Sequence, residues 1–282
     1  MDFSQLEAFL SVCRTLNFTK AAEYLHISQS AVTARIKALE TETGKILFDR
    51  DNRNVALTPA GTAFLPYAER MLRLCEESRL TLSEQFEEYI VLSGPGAVWH
   101  YRYLERLIAF RQSHPKAAVK FLSYIDPGYM IRDLLLDGTV HVAIRYDPPE
   151  HPKVSSELLF EDEIVLVSAK EGTIADFYSP NYCHIEWGAP FPERFASLVG
   201  PGYLPSLHTD HSGTMLTMLL QGSVFGFLPL SIAQPYLEAR RLFRLPLEAP
   251  SLIMRGYASY LTEKRGHSSV RLGLAMLGID PR

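Results

Sequence analysis

Phe18-Thr19-Lys20-Ala21-Ala22-Glu23-Tyr24-Leu25-His26-Ile27-Ser28-Gln29-Ser30-Ala31-Val32-Thr33-Ala34-Arg35-Ile36-Lys37-Ala38-Leu39-Glu40 holds two short helical patterns separated by a tight turn, and its reading decides the fold of the N-terminal region. Thr19 is placed to cap the first helix, which carries Ala21, Ala22 and Leu25 on its inner face. Ser28 caps the second, which the periodicity carries from Gln29 to about Thr41, with Gly44 beyond it as the stop. At about 100° per residue, with Gln29 at zero, Val32, Ile36 and Leu39 fall at about 300°, 340° and 280°. Gln29, Thr33, Lys37 and Ser30 fall at about 0°, 40°, 80° and 100°. One face therefore packs, and its neighbour carries an amide, hydroxyls and a cation, the groups that read base edges and phosphates in a major groove. Two short helices joined this way make a helix-turn-helix. An ordinary surface helix also has a polar outer face, so the flanking sequence has to decide.

Upstream, Ser4-Gln5-Leu6-Glu7 reads as a capping box opening a helix whose Leu6, Phe9, Leu10 and Cys13 share a face and which ends near Leu16-Asn17. Downstream, the stretch from Ile46 to Leu57 alternates around a polar tip and predicts a β-hairpin, with Arg50 and Arg53 near the tip where an arginine can enter the adjacent minor groove. Thr58-Pro59 is a cap followed by proline at the first helical position, and it starts a long helix reaching toward Glu88. Leu65, Ala68, Leu72, Cys75, Arg79, Leu82 and Phe86 are spaced alternately three and four apart, a heptad seam. Pairing with a second copy is the expected use of that seam, and packing against the chain's own domain is the alternative; Pro66 predicts a kink.

Composition narrows the class. Across 282 residues, 47% are hydrophobic and 21% charged, which fits a globular chain. No apolar run reaches the roughly 18 residues of a membrane span, and the N-terminus shows no export signal, so a cytoplasmic location and no membrane partner are expected. Net charge is −4, and residues 1–60 hold seven Lys and Arg against seven Asp and Glu, so any DNA contact must come from local geometry. Three widely spaced cysteines, Cys13, Cys75 and Cys183, argue against a disulfide framework or a zinc ribbon.

Several N-terminal stretches, taken in order, resemble the signature of LysR-type transcriptional regulators. They are Phe18-Thr19-Lys20-Ala21-Ala22-Glu23, Ile27-Ser28-Gln29-Ser30-Ala31-Val32-Thr33, Ile36-Lys37-Ala38-Leu39-Glu40, Gly44, Leu47-Phe48-Asp49-Arg50 and Leu57-Thr58-Pro59-Ala60-Gly61. The resemblance implies a winged helix-turn-helix head over residues 1–58, all-α apart from its wing, and a coiled-coil linker helix over 59–88. It further implies a two-lobed α/β, periplasmic-binding-protein-like regulatory domain over 89–282. The implied partners are double-stranded promoter DNA, a small-molecule effector of unknown identity, and further copies of the chain as a homodimer and beyond it a homotetramer. Gln29, Ser30 and Thr33 are expected at bases, Lys37, Arg35 and Thr19 at phosphates, and Arg50 and Arg53 in the wing.

From Tyr89 onward short β-rich runs alternate with amphipathic helices, which predicts a parallel sheet covered by helices. Strands are expected at 89–93, 118–124, 140–145, 164–167, 183–185, 206–209, 224–227, 242–245 and 253–260, and helices near 101–113, 128–136, 214–221, 230–238 and 269–277. Crossovers near 146–149 and 249–259 would divide it into two lobes. Ligands in such sheets sit beyond the carboxyl ends of strands, and those loops offer Ala97, Trp99, His100, Tyr124, Tyr146, Trp187 and His211. Ala97 stands where many LysR-type regulators carry a Ser or Thr that holds an effector carboxylate, and His141 where they usually carry Asp. The segment Ile185-Glu186-Trp187-Gly188, with Trp99, is similar to the HdfR-like subgroup. The reading places both tryptophans on the interlobe cleft and points to an aromatic, hydrogen-bonding pocket.

Enzyme signatures are missing: there is no G-x-G-x-x-G, P-loop, G-x-S-x-G or H-E-x-x-H. His208-Thr209-Asp210-His211, with His184 and Glu186, is the one metal-like cluster, but His208 and His211 point to opposite faces of an extended strand. Neither a metal, a cofactor nor a catalytic residue is expected.

Overall fold

The computed structural model describes residues 1–51, 54–82, 85–123, 128–200, 202–247 and 252–280. The chain divides into two units, Met1–Phe86 and Glu87–Arg282.

The first unit opens with α1 (Phe3–Thr15), α2 (Phe18–Leu25) and α3 (Gln29–Thr43). The capping box of α1 is built on Asp2 and Gln5 rather than on Ser4 and Glu7. The Asp2 carboxylate accepts from the Gln5 N–H at 2.9 Å, and the Gln5 side chain returns the bond to the Asp2 N–H at 2.9 Å. Ser4 donates to the same carboxylate at 2.8 Å, so the stronger anionic acceptor takes the cap. Asn17, not Thr19, caps α2: its side-chain oxygen accepts from the N–H groups of Thr19 at 2.8 Å and Lys20 at 3.0 Å. Ser28 caps α3 by accepting from the Ala31 N–H at 3.2 Å, and Gly44 ends it in the left-handed region.

Val32, Ile36 and Leu39 are buried on α3 as its periodicity requires, in a core with Phe9, Val12, Leu47 and Phe48. Each such side chain contributes roughly 1.5–3 kcal/mol by leaving water. The ring of Phe9 lies 5.3 Å from that of Phe48 and 5.2 Å from that of Phe64. The hairpin follows as β1 (Phe48–Asp51) and β2 (Asn54–Leu57), antiparallel, with Phe48 opposite Leu57 and Arg50 opposite Val55. Its base is tied to α3 by one carboxylate: Glu40 accepts from the N–H of Leu47 at 2.9 Å and of Phe48 at 3.3 Å.

The long helix is α4 (Pro59–Thr81), and it continues through Pro66. It ends seven residues short of the expected Glu88, where a strand begins instead. Its start is pressed onto the hairpin base. Thr58 donates its N–H to the Leu47 carbonyl at 3.0 Å and its hydroxyl to the Ile46 carbonyl at 2.7 Å. A methyl at Gly61 would stand 2.1 Å from that same Leu47 oxygen, so only glycine fits. The first part of the seam packs against the chain's own head, the alternative to pairing. Ala68 is fully buried in the head's own core, with Leu65 and Leu72 packed against it, and Arg79 lies over the Phe3 ring at 4.7 Å. Large apolar residues left outside include Tyr67, 64% exposed, and Leu74, 50% exposed, seven positions apart and so on one stripe, and the seam's own Leu82, 83% exposed just past the helix.

In the second unit the order is β3 (Glu88–Ser93), α5 (Gly96–Val98), a π-helical turn (Trp99–Tyr103), α6 (Leu104–Ser113), β4 (Ala117–Leu122), α7 (Gly128–Leu136) and β5 (Val142–Arg145). There follow β6 (Val154–Ser168), β7 (Cys183–His184), α8 (Phe191–Val199), β8 (Leu207–His208), α9 (Ser212–Leu220) and β9 (Phe225–Pro229). The unit closes with α10 (Leu230–Glu238), β10 (Phe243–Arg244), β11 (Leu252–Leu261) and α11 (Ser268–Leu277). The main sheet runs β10-β6-β11-β5-β3-β4, with β9 also on β6. It is mixed rather than parallel: β3 pairs β4 and β5 in parallel, whereas β11 runs antiparallel to both β5 and β6, and β9 and β10 run antiparallel to β6. Ile90 and Leu92 of β3 belong to one core with α11, and Val91 between them to another beneath α7, the two-sided burial of a central strand. The second lobe has its own core, centred on Tyr182, Phe191, Phe195, Phe225 and Phe227.

The crossovers are strands. β6 is 15 residues long and starts ten residues before the expected Ile164. Its register with β11 runs from Val154 opposite Leu261 to Ile164 opposite Leu252 and skips Leu159, a bulge beside Gly256. The Phe160 ring fills the space where a side chain at Gly256 would stand, 2.3 Å from it.

Gly61→Ala is expected to cost the head about 1–3 kcal/mol, the range for a forced overpacking against fixed backbone. Gly96→Ala, where a methyl meets nothing within 4 Å, should be nearly neutral. Hydrogen-exchange mass spectrometry on the full chain reads α1 to α4 separately, and unchanged protection of the Gly61→Ala head would refute the close-approach account.

Candidate nucleic-acid interface and interlobe cleft

Gln29, Ser30 and Lys37 are exposed on α3, with Thr33 partly exposed between them, so the structure brings together the face that the angles define. Thr33 donates its hydroxyl to the Gln29 carbonyl at 3.0 Å, and Ser30 shares a hydrogen bond with the capping Ser28 at 2.9 Å. Thr19 is exposed at the second position of α2, with its N–H taken by the Asn17 cap. Arg35 is not on this face: at about 240° it flanks the buried stripe, some 160° from Lys37. Arg50 stands on β1, but its side chain, like the whole of Arg53, lies outside the described residues. Ala34 is exposed beside this face, at about 140°.

In the regulatory unit Trp187 is a core residue rather than a cleft residue, and Trp99 is half-buried against the first lobe's core. Trp187 is 4% exposed within the second lobe, and its indole N–H donates to the Phe227 carbonyl at 2.9 Å. Trp99 packs on the first lobe's core, its ring 4.8 Å from that of Phe121 and its N–H donating to the Gly94 carbonyl at 3.2 Å. A nearby backbone carbonyl satisfies the one polar atom of each indole, so the large apolar ring gains most by burial. Tyr124 lies outside the described residues. His211 is exposed, but its Nδ1 accepts from the Thr214 N–H at 3.1 Å, which makes it the cap of α9.

What does meet between the lobes is smaller. Ala97, Tyr101 and Tyr146 all pack against the second lobe's core from the first lobe's side. Tyr146 touches the cores of both lobes; burial raises its phenol pKa first, the Asp162 carboxylate raises it further, and Arg102 opposes them. Its ring lies against Gly188. Burial also raises the pKa of Tyr101, whose hydroxyl is hydrogen-bonded with Ser212 at the start of α9. His100 is exposed, its ring edge-on to Tyr101 at 4.5 Å.

Beside this lies a cluster the sequence did not disclose. The Arg102 guanidinium donates to Asp162 at 2.8 Å and stacks 4.1 Å over the Phe160 ring. The other Asp162 oxygen accepts from the N–H of Ser231 at 3.1 Å, at the beginning of α10, and the Ser231 hydroxyl also donates to this carboxylate. One buried carboxylate thus joins the π-helical turn, the crossover strand and a helix of the second lobe. Arg102 hides among the aromatics of Trp99-His100-Tyr101-Arg102-Tyr103, and nothing near Asp162 in sequence announces its partners.

His141 has a clear role. Its Nδ1 accepts the Val91 N–H at 2.8 Å, extending the β3–β5 ladder by one acceptor, which a carboxylate at this position could also supply. In the second lobe His184 and His208 face each other in register on β7 and β8, with rings 5.5 Å apart, and His184 is linked to the Tyr182 hydroxyl at 3.0 Å. Among the described residues no three His, Cys, Asp or Glu side chains gather in a metal-holding group.

Residues 3–62 match the family described as bacterial regulatory helix-turn-helix protein, lysR family, and residues 83–278 match the LysR substrate binding domain. The HTH-type transcriptional regulator HdfR of Escherichia fergusonii is 27% identical over 275 residues, which cover 96% of each chain. HdfR of Escherichia coli O139:H28 is 29% identical over 238 residues, covering 83% of this chain and 84% of that one. Among solved structures, CbnR, a LysR family transcriptional regulator, superposes with a TM-score of 0.70 at 22% identity, covering 99% of this chain and 98% of that one. Full-length CbnR complexed with its target DNA gives 0.67 at 23% identity and the same coverage. LysG of Corynebacterium glutamicum with bound effector Arg gives 0.54 at 20% identity, covering 99% of this chain and 97% of that one.

Burial, reinforced by His267 and Lys264, holds the His141 imidazole neutral down to about 4, against 6.5 for a free one. Between these values the unfolded chain takes up a proton that the folded chain refuses. Its contribution is therefore complete above pH 6.5 and is lost as pH falls toward 4. His184, also lowered to about 4 by burial and then by His208, acts in the same window. His141→Asn places an untitratable oxygen near the Nδ1 position, so the drop in melting temperature between pH 6.5 and 4 should shrink without vanishing. A variant whose acid profile overlies that of the unmodified protein would contradict this role.

Proposed function

Because the chain belongs to the LysR family of bacterial regulatory helix-turn-helix proteins, we propose that it reads promoter DNA as a dimer, through Gln29, Ser30 and Thr33 of α3 at base edges. It is a DNA-binding transcriptional regulator, not an enzyme, with a ligand-binding regulatory domain. Lys37 and Thr19 hold phosphates on either side of the reading face, and Arg50 and Arg53 belong to the wing that follows it. The observation that carries this reading is the exposed polar face of α3, fixed beside the hairpin by the Glu40 carboxylate. Within one head, α3 and the base of the wing are therefore presented together, the arrangement needed to contact a major groove and the neighbouring minor groove.

Dimerisation is assigned to the outer stripe of α4, with Tyr67 and Leu74, and not to Leu65, Ala68 and Leu72, which are spent on the head itself. A tetramer built from two such dimers is the further assembly we propose. The effector is placed in the interlobe cleft against Ala97, His100, Tyr101 and Tyr146. Ala97 offers no hydroxyl, and the tyrosine hydroxyls and imidazole suit an uncharged, hydrogen-bonding molecule better than a small carboxylate. No helix among the described residues is long and apolar enough to cross a membrane, and the cytoplasm is the location that a promoter-binding role supports. No cofactor is assigned.

Base and phosphate contacts separate by salt and sequence. Gln29→Ala should cost roughly 1–3 kcal/mol on the preferred DNA and little on scrambled DNA. Lys37→Ala should weaken both alike and flatten the salt slope by about one. Equal losses on both DNAs for Gln29→Ala would refute the reading face. For the dimer, Leu74→Asp should shift the sedimenting species to monomer while the melting temperature holds. DNA affinity should then fall about a hundredfold or more as two linked half-site contacts become independent. Leu72→Asp should instead unfold the head. A Leu74→Asp chain that sediments as the unmodified protein does would exclude this stripe as the interface.

A further inference from the structure

Resting on the reading face proposed above, we infer that α3 recognises a thymine by its C5-methyl group, through the methyls of Thr33 and Ala34, about two base pairs from an adenine read by Gln29. The hydroxyls of this face are engaged by the helix itself. Thr33 donates to the Gln29 carbonyl at 3.0 Å, Thr41 to the Lys37 carbonyl at 2.8 Å, and Ser30 is tied to Ser28 at 2.9 Å. With its oxygen turned back onto the preceding turn, Thr33 has its γ-methyl left to offer a groove. Ala34, the next residue, adds an exposed methyl beside this face. Among the described residues the Gln29 carboxamide has no hydrogen-bond partner, so it is the one uncommitted donor-acceptor pair there.

In the major groove the C5-methyl belongs to thymine alone among the four bases, and the adjacent N6 donor and N7 acceptor of adenine match a carboxamide. Gln29 and Thr33 stand four residues apart on one face, about 6 Å along the helix axis, close to the separation of two stacked base-pair steps at roughly 3.4 Å each. The two readouts therefore fall about two base pairs apart within a half-site. This makes Thr33 a specificity residue that acts by shape and apolar contact, although its hydroxyl would ordinarily be taken for the reader.

The test starts from duplexes that the full-length protein selects from a randomised pool, with each thymine then replaced singly by deoxyuridine, which lacks only the methyl. One position in each half-site should lose about fourfold in affinity, the worth of one buried methyl group. Thr33→Val, which keeps the methyl and loses the hydroxyl, should preserve that thymine-to-uracil ratio; Thr33→Ser, which does the reverse, should bring it toward one. The inference is overturned if every deoxyuridine duplex binds within error of its thymine parent, if Thr33→Ser keeps the ratio, or if Thr33→Val loses it. Failure of the underlying reading looks different: Gln29→Ala then selects the same sequences from the pool as the unmodified protein. If the inference alone is wrong, Gln29→Ala still relaxes selection at one adenine while deoxyuridine is silent throughout.

Discussion

A helix that must bury Val32, Ile36 and Leu39 has no freedom to rotate about its axis, and the rest of the DNA-binding unit depends on that. The rotation fixed by the apolar stripe sets which side chains face outward. Everything around α3 then serves to hold its position along and across the surface: Ser28 at its start, Gly44 at its end, and Glu40 gripping two N–H groups at the base of the hairpin. The long helix is pressed onto the same base through Thr58 and Gly61, so α4 leaves the head in a direction set by the residues that position the reader.

In the regulatory unit the comparable element is a single carboxylate. Asp162 sits on the strand that passes from one lobe to the other, and it binds a guanidinium from the first lobe and the opening of a helix in the second. A buried ion pair is weak evidence for stability, because desolvation offsets attraction. Its worth here is geometric, since Arg102 also covers the Phe160 ring beside the bulge. The lobes thus share a charged contact close to where they are joined, and tyrosines meet the second lobe's core.

Much of the head could be read from sequence because its rules are local: spacing gave α3 its buried stripe, and Thr58-Pro59 gave α4 its start. Where two residues competed for one cap, the sequence pointed to Ser4 and Thr19, and the longer-reaching anionic or amide groups of Asp2 and Asn17 prevailed. The seam of α4 was visible but not its partner, since periodicity says that a stripe is buried and not against what. In the regulatory half the first part of β6 escaped because Val154-Ser155-Ser156-Glu157 alternates weakly. The helix α8 escaped because Ala189-Pro190-Phe191-Pro192 reads as a turn, although Phe191 and Phe195 stand one helical turn apart. The cleft was the least legible part. Whether an indole faces a ligand or a core depends on which backbone carbonyl its N–H can reach, and that is a matter of tertiary packing.

The bulge at Leu159 has a mechanical consequence. Because β6 and β11 are paired as continuous strands across the crossover, one lobe can turn against the other only by changing the twist of that ribbon. Paired strands resist such torsion evenly except where the ladder is interrupted, and here the interruption falls at Leu159, opposite the step from Gly256 to Tyr257. A turn of one lobe against the other is accordingly easiest about that step. Residues close to an axis move least for a given rotation, whereas those far from it sweep the largest arc. Arg102, stacked over Phe160 at the bulge, is therefore placed to keep its contact through such a turn.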